Sequence, residues 1–383
     1  CRGRISVSKK ILVFTGSRGE WGYLRPILKK FKDTDHDVRL AVTNMHVDPS
    51  FGMTENEIIA DGFQPRYRIF MNVAGDAESA WARSLGLLGI QLPNVFDDFS
   101  PDIILLAGDR AETFMAAVSA FYSNVIIAHI QAGELSGHKD GMARHALGKL
   151  AHVHFASNKD AADRLIRLGE EEFRIHTTGA PQLDNLLDKN EISNISDVCL
   201  KLRLNPSDRF CVCIVHPSSD ETVSPIVFAK IMHKALTARG LYQIWILPNN
   251  DSGSTDIVNE VTHLPKEFVR VTRNLARNDY AALLSNCEFI IGNSSSGILE
   301  APSLGVVSIN IGSRQTGRLR SRTVIDVPVA SAESIDQAIA SVASEQNTGS
   351  DKQYGDGDSS SKIVTVMNDL VIDDKLINKF LVE

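Results

Sequence analysis

Apolar positions along the chain fall into short continuous runs and longer periodic stretches, and the two kinds alternate. Residues 11–15 form a run of strand length, closed by Gly16-Ser17-Arg18-Gly19. Beyond that turn, Leu24, Ile27, Leu28 and Phe31 recur at helical spacing, which predicts a helix with one buried face. Further strands are predicted over 38–43, 103–107, 125–129, 153–157 and 174–178. Two of these run into polar clusters, Gly108-Asp109-Arg110 and Gln131-Ala132-Gly133-Glu134. Asn, Ser and Asp crowd the stretch 188–208, which predicts a domain boundary. The pattern then restarts, with strands expected over 210–215, 243–247, 269–272, 289–291 and 306–310. A Gly- and Ser-rich stretch at 349–361 reads as a loop, and the periodic segment 363–381 as helices packing on either domain.

Strands alternating with amphipathic helices predict an α/β fold, a parallel sheet covered by helices on both faces. The chain's 383 residues are too many for one ordinary core. We therefore expect two doubly wound, Rossmann-like domains, at 9–188 and 205–362, with C-terminal helices at 363–383 packing back. In such sheets ligands sit beyond the carboxyl ends of the strands, so the chemistry is expected in the polar segments there, in a cleft between the domains.

Composition narrows the function classes. Hydrophobic residues make up 43%, charged residues 23%, and the formal net charge is −7. That balance suits a globular protein and speaks against a broad nucleic-acid-binding surface. Any phosphate ligand would need local positive charge. The five cysteines include no CxxC pair, so a metal site is not expected, and their odd number suits a reducing cytoplasm. Cys211 and Cys213 should share one strand face as small buried hydrophobes. No apolar run approaches the roughly 18–20 residues of a membrane span, and no signal peptide is visible. The absence of a methionine at Cys1 is expected to mean an incomplete N-terminus rather than a lipoprotein's cysteine.

Candidate chemistry sits at the predicted strand ends. Gly292 closes one strand, and Ser294-Ser295-Ser296-Gly297 opens a helix, which offers free N–H groups and hydroxyls to an anion. Ordinary capping is the plainer explanation of that motif alone. Glu300, one turn on, suits a pair of ribose hydroxyls, and Arg314 suits a phosphate. In the first domain Arg18 lies in a loop that lacks the GxGxxG spacing of a dinucleotide site. Asp109, Arg110, Glu134, Asp140 and His216 are candidates for binding or acid–base work, because several such groups converging on one cleft favour catalysis over capping. His145 and His152 fall at a spacing that would place them on one helix face, without the HExxH pattern of a metal site. His152 and His154 are read as structural.

Taken together these segments resemble the hydrolysing UDP-N-acetylglucosamine 2-epimerases, over nearly the whole chain from Lys9. The resemblance is carried by Gly108-Asp109-Arg110, the segment from His129 to Glu134, Arg144-His145 through His152, Val215-His216-Pro217, Gly292 to Ser295, Gly312 to Gln315, and Tyr354 to Gly357. It implies a GT-B-like fold, a homodimer or homotetramer, a UDP-sugar substrate, no cofactor and no metal. It further implies that Arg18, Arg110, His216, Asn249, Leu275, Ser294, Ser295, Glu300 and Arg314 line the UDP site, with Leu275 offering mainly backbone contacts to the base. Asp109, Gln131, Glu134, Asp140 and His216 would then form the catalytic group. Two positions depart from the family pattern. Gln131 stands where a glutamate is common, and glutamine cannot accept a proton as a base. Gly22 stands where a serine is common.

The reaction implied by the resemblance removes the C2 proton as UDP leaves C1, giving a glycal that takes up water with inversion at C2. The expected product is N-acetylmannosamine for sialic-acid-type synthesis. Four other readings compete. They are a hydrolysing epimerase of UDP-2,4-diacetamido-2,4,6-trideoxyglucose in legionaminic acid synthesis, a non-hydrolysing epimerase, a GT-B glycosyltransferase, and a sensor that has lost its chemistry.

Overall fold

In the computed structural model the described residues are 8–75, 78–136, 138–218, 221–248, 253–273, 275–345 and 349–382. The chain divides into two compact units. Unit 1 is Cys1–Glu134, Lys139–Asp184 and Gly355–Glu383, and unit 2 is Leu135–His138 and Asn185–Tyr354. The chain leaves unit 1 within the helix Gln182–Leu187 and returns at Gly355, ahead of the helical segment expected from 363.

Among the described residues unit 1 holds seven strands: β1 (Lys10–Thr15), β2 (Asp37–Thr43), β3 (Tyr67–Ile69), β4 (Ile103–Ala107), β5 (Ile126–Ile130), β6 (Val153–Ala156) and β7 (Ile175–Thr177). They form one parallel sheet in the order β3-β2-β1-β4-β5-β6-β7. Its helices are α1 (Arg18–Phe31), α2 (Glu55–Ala60), α3 (Glu78–Phe99), α4 (Ala111–Tyr122), α5 (His138–Leu150) and α6 (Lys159–Arg167), followed by α7 (Gln182–Leu187) at the crossing. Side chains alternate across each strand. Ile11 and Val13 accordingly pack with Trp21, Leu24, Ile27 and Phe31 of α1, while Leu12 and Phe14 pack on the other face with Leu88, Leu92 and Phe99 of α3.

Unit 2 holds α8 (Ile195–Lys201), α9 (Pro225–Thr237), α10 (Ser254–Thr262), α11 (Arg277–Asn286), α12 (Ser296–Ser303) and α13 (Ala332–Glu345). Its strands are β8 (Phe210–Ile214), β9 (Tyr242–Ile246), β10 (Val269–Thr272), β11 (Ile290–Gly292), β12 (Ser308–Ile311) and β13 (Val324–Val327), parallel in the order β10-β9-β8-β11-β12-β13. Cys211 and Cys213 do share one face, inside a core with Phe228, Met232 and Trp245. The last helices, α14 (Ser359–Asp369) and α15 (Asp374–Ile377), belong to unit 1. Ile363, Val364 and Met367 of α14 join the core beside α1, and Asp184 accepts from the Ser359 and Ser360 amides to cap it. Part of the expected loop at 349–361 is thus the first turn of a helix.

In each sheet the strand order reverses between two neighbours, β1 and β4 in unit 1, β8 and β11 in unit 2. The loops leaving such a pair diverge and open a crevice at the carboxyl edge. No helix among the described residues is long and apolar enough to cross a membrane.

Candidate active site

In unit 1 the loops flanking the reversal carry Arg18 after β1, and Asp109 and Arg110 after β4. Arg18 turns out to be the first residue of α1 rather than a loop residue, because Ser17 and Glu20 build a capping box ahead of it. The Glu20 carboxylate accepts from the Gly16 and Ser17 amides at 2.6 and 3.0 Å and from the Thr113 hydroxyl. Burial pushes the Glu20 carboxyl up to about 7, and the neighbouring Glu112 carboxylate adds to the rise. Glu112 is fully enclosed, accepting from Asn44 Nδ2 and Arg110 Nε, both at 2.8 Å. Arg110, immediately ahead of α4, is therefore oriented by a carboxylate in the first turn of the helix that follows it.

Asp109 is held by Arg144. That guanidinium is only 2% exposed. It pairs with the Asp109 carboxylate and donates from Nη1 to the Gln131 carbonyl at 2.7 Å. One buried cation thereby ties the loop after β4 to the loop after β5. His129 secures the first of these loops again, 2.7 Å from the Gly108 carbonyl. A carbonyl only accepts, so Nε2 carries the hydrogen, and burial lowers the ring to about 3, which keeps it neutral.

Gln131 closes β5 in the left-handed region, φ +61°, with its amide donating to Gln182 at 3.1 Å. Glu134 is buried and accepts from the Ser157 hydroxyl and from Asn158 Nδ2. Between them, Gly133 has φ +76°, and a Cβ there would lie 2.3 Å from the Ala161 carbonyl. Asp140 is exposed in the first turn of α5, one helical turn before Arg144.

The expectation that His145 and His152 share a helix face is corrected, since α5 ends at Leu150. His152 instead accepts from the Ile127 amide at 3.1 Å, and His154 donates to Glu170 at 3.2 Å, so both serve structure.

In unit 2, Asn293 is the hub. It is wholly buried directly after β11, and its side-chain amide pairs with the backbone of His216 like a peptide group. The His216 N–H donates to Oδ1 at 2.7 Å and Nδ2 donates to the His216 carbonyl at 2.9 Å. Its own carbonyl accepts from Arg314 Nη1 at 3.2 Å and Gln315 Nε2 at 3.0 Å. One residue, through its side chain and its own carbonyl, thus brings together the loops after β8, β11 and β12, and with them His216, Ser294 and Arg314. Asn293 and Arg144 stood inside motifs without an assigned role. Their signal was position, a polar residue at a strand end or inward helix face where burial obliges it to bond.

Ser295 caps α12 by position but makes no side-chain capping bond, while the Ser294 hydroxyl accepts from the Ser296 amide at 3.3 Å. The two glycines of this motif are needed for packing. A Cβ on Gly292 would lie 1.9 Å from the Ile214 carbonyl, and one on Gly297 would lie 2.4 Å from the Ser308 hydroxyl. Glu300 is buried, accepting from Arg277 Nη2 at 2.6 Å and from the Ser296 hydroxyl at 2.5 Å. Glu300 is therefore not a solvated helix glutamate. Leu275, half-buried, leads into α11. The Ser313 and Arg314 amides donate to Glu221, a residue the sequence did not single out, and Gly312 at φ +82° lets that carboxylate approach. Asn249 lies outside the described residues.

Among the described residues no group of three or more His, Cys, Asp or Glu is placed to hold a metal. The arrangement offers arginines and helix N–H groups for a diphosphate, a buried carboxylate beside a helix start for hydroxyls, and carboxylates at a strand edge for proton transfer.

The chain is 34% identical over 375 residues to the UDP-N,N'-diacetylbacillosamine 2-epimerase (hydrolyzing) of Legionella pneumophila, covering 97% of this chain and 98% of that one. It is 32% identical over 318 residues to a UDP-N-acetylglucosamine 2-epimerase of Neisseria meningitidis, covering 83% of each. Its fold matches the crystal structure of UDP-GlcNAc 2-epimerase from Neisseria meningitidis bound to UDP-GlcNAc, with a TM-score of 0.80 at 18% identity over 94% of this chain and 100% of that one. The expected pair of parallel-sheet α/β units is what that likeness supports. The sequence profile of UDP-N-acetylglucosamine 2-epimerase matches residues 29–368, and the chain belongs to that family of UDP-sugar 2-epimerases.

Proposed function

We propose that this enzyme is a hydrolysing 2-epimerase that converts a UDP-2-acetamido sugar into UDP and the free 2-epimeric sugar. The observation that carries the hydrolytic reading is the end-to-end similarity to the Legionella enzyme, whose name specifies hydrolysis. The same similarity, together with glutamine at Gln131, favours the 2,4-diacetamido-2,4,6-trideoxy sugar as substrate. N-acetylglucosamine is the second reading, supported by the Neisseria relative.

The nucleotide falls to His216, Leu275, Ser294, Ser295, Glu300 and Arg314, with Arg18 and Arg110 assigned to the diphosphate and Asn249 to the same site by resemblance. Gln131 has no basicity, and Glu134 is enclosed by Ser157 and Asn158. Asp109, one-fifth exposed and backed by Arg144, is the carboxylate best placed to take the C2 proton. Asp140 and His216 complete the proton-handling group. In the balanced reaction, the C2–H pair forms the C1–C2 double bond as the C1–O bond breaks toward UDP. Water then delivers hydroxide to C1 and a proton to the opposite face of C2. Arginines and helix N–H groups take up the charge that develops on the departing diphosphate.

The two UDP-sugars, incubated separately in deuterated water and followed by NMR, test this. UDP release with free sugar carrying deuterium at C2 is the expected result, and the faster of the two names the substrate. Recovery of only UDP-linked sugar would overturn the hydrolytic reading. Loss of a positioned base typically lowers turnover by about 100- to 10,000-fold. Asp109→Asn should show that loss in UDP release, and unchanged turnover would remove Asp109 from the catalytic group.

A further inference from the structure

We propose that Tyr280, Ser296 and Arg277 are positioning residues that fix the Glu300 carboxylate and make the site selective for ribose over 2'-deoxyribose. This rests on the nucleotide reading above. Glu300 stands in the second turn of α12 with its side chain 10% exposed. Arg277 donates to Oε1 and Ser296 to Oε2.

The direction of the remaining bond follows from the donor inventory. A carboxylate only accepts, so the single hydroxyl hydrogen of Ser296 is committed to Glu300. The hydroxyl of Tyr280, in contact with the Ser296 oxygen, must then be the donor of that pair. The relay runs one way, from Tyr280 through Ser296 to Glu300. Burial pushes the Tyr280 phenol up, so it keeps its hydrogen at every working pH. Tyr280 and Ser296 are themselves buried, so the relay cannot easily exchange its partners for water.

The consequence is a carboxylate with both oxygens oriented and each still able to accept a second bond. Two adjacent hydroxyls, as on a ribose, match two adjacent carboxylate oxygens. Leu275, the residue assigned to the base, lies two positions before Arg277, so base contact and ribose contact come from one turn of chain. Removing the 2'-hydroxyl leaves a charged acceptor one bond short. Hydrogen bonds to charged groups correspond to roughly 10- to 100-fold in affinity.

Calorimetric titration of the full chain with UDP and with 2'-deoxy-UDP tests the proposal, in the wild type, Tyr280→Phe and Arg277→Gln. The wild type is expected to prefer UDP by roughly 10- to 100-fold. Both variants should weaken UDP several-fold and 2'-deoxy-UDP less, through the 3'-hydroxyl it keeps, so the ratio falls toward one. A merely structural role would weaken both ligands together. Tyr280→Phe keeps the ring volume, and Arg277 is partly exposed, so Arg277→Gln provides a reading even where the buried variant fails to fold. A wild-type ratio near one, or a ratio unchanged in the folded variants, overturns the proposal. Failure of the wild-type chain to bind UDP at all overturns the nucleotide reading and this inference with it.

Discussion

Glu20 shows how a single side chain can serve structure and still set a pH dependence. It closes the capping box that starts α1 and is completely enclosed beside Glu112. Burial, and then the like charge of Glu112, raise its carboxyl from 4.5 to about 7. The folded chain therefore holds this proton more tightly than the unfolded chain does. The stability it contributes is complete below the unfolded value of 4.5 and is lost as pH climbs through about 7. Thermal melts between about pH 5 and 8 should show the midpoint falling as pH rises. In Glu20→Gln, which keeps an oxygen for the Gly16 and Ser17 amides and an NH2 for Thr113, that slope should flatten. An equal slope in both proteins would mean the proton resides elsewhere.

At the scale of elements, burial explains what could and could not be read in advance. The central parallel strands are covered on both faces and read as plain apolar runs, so β1, β4, β5, β8 and β11 were legible. Edge strands β3 and β13 are short and only partly covered, and nothing in Tyr67–Ile69 or Val324–Val327 marks them. Helix α8 lies inside the stretch read as a polar boundary; only Val198 and Cys199 are buried, too little periodicity to declare a helix. The strand-end motifs stood out as polar clusters, but the hubs Arg144, His129 and Asn293 did not, because their value lies in contacts across the fold. Glycines sort the same way. Gly86 lies exposed within α3 with nothing near a would-be Cβ. Gly86→Ala should raise stability by about 0.5–1 kcal/mol through helix propensity. Gly133→Ala, with a backbone oxygen in the way and φ +76°, should lower it and disturb the Gln131 to Glu134 loop. Chemical denaturation of the two variants checks both signs, and a stabilised Gly133→Ala would refute the packing account.

The whole molecule is built so that unit 1 is finished only by the last residues of the chain. Arg174 is fully buried, and its guanidinium donates to the carbonyls of Leu376, Lys375 and Asn378 at 2.7, 2.9 and 2.9 Å. Lys379 donates to the carbonyls of Gly148, Lys149 and Ala151, the otherwise open end of α5, and pairs with Glu170. Burial alone would raise the Glu170 carboxyl, but hydrogen bonds from His154 and Lys379 hold it down at about 2. Cutting the chain before α15 strips three acceptors from a buried guanidinium and one cation from a buried carboxylate. Arg174 keeps Glu171, and Glu170 keeps Lys149 and His154, so the loss is partial and stays below the roughly 3–5 kcal/mol of fully breaking a buried ion pair. The damage should be confined to unit 1, because every one of these partners belongs to it. Deletion of 372–383, followed by scanning calorimetry and limited proteolysis, should lower the melting of unit 1 and expose cleavage sites there while the melting of unit 2 stays put. Helix α5 carries Arg144 and Asp140, so under the proposed function UDP release should fall with it. Equal losses in both units would show that the C-terminal segment supports more than the sheet it returns to.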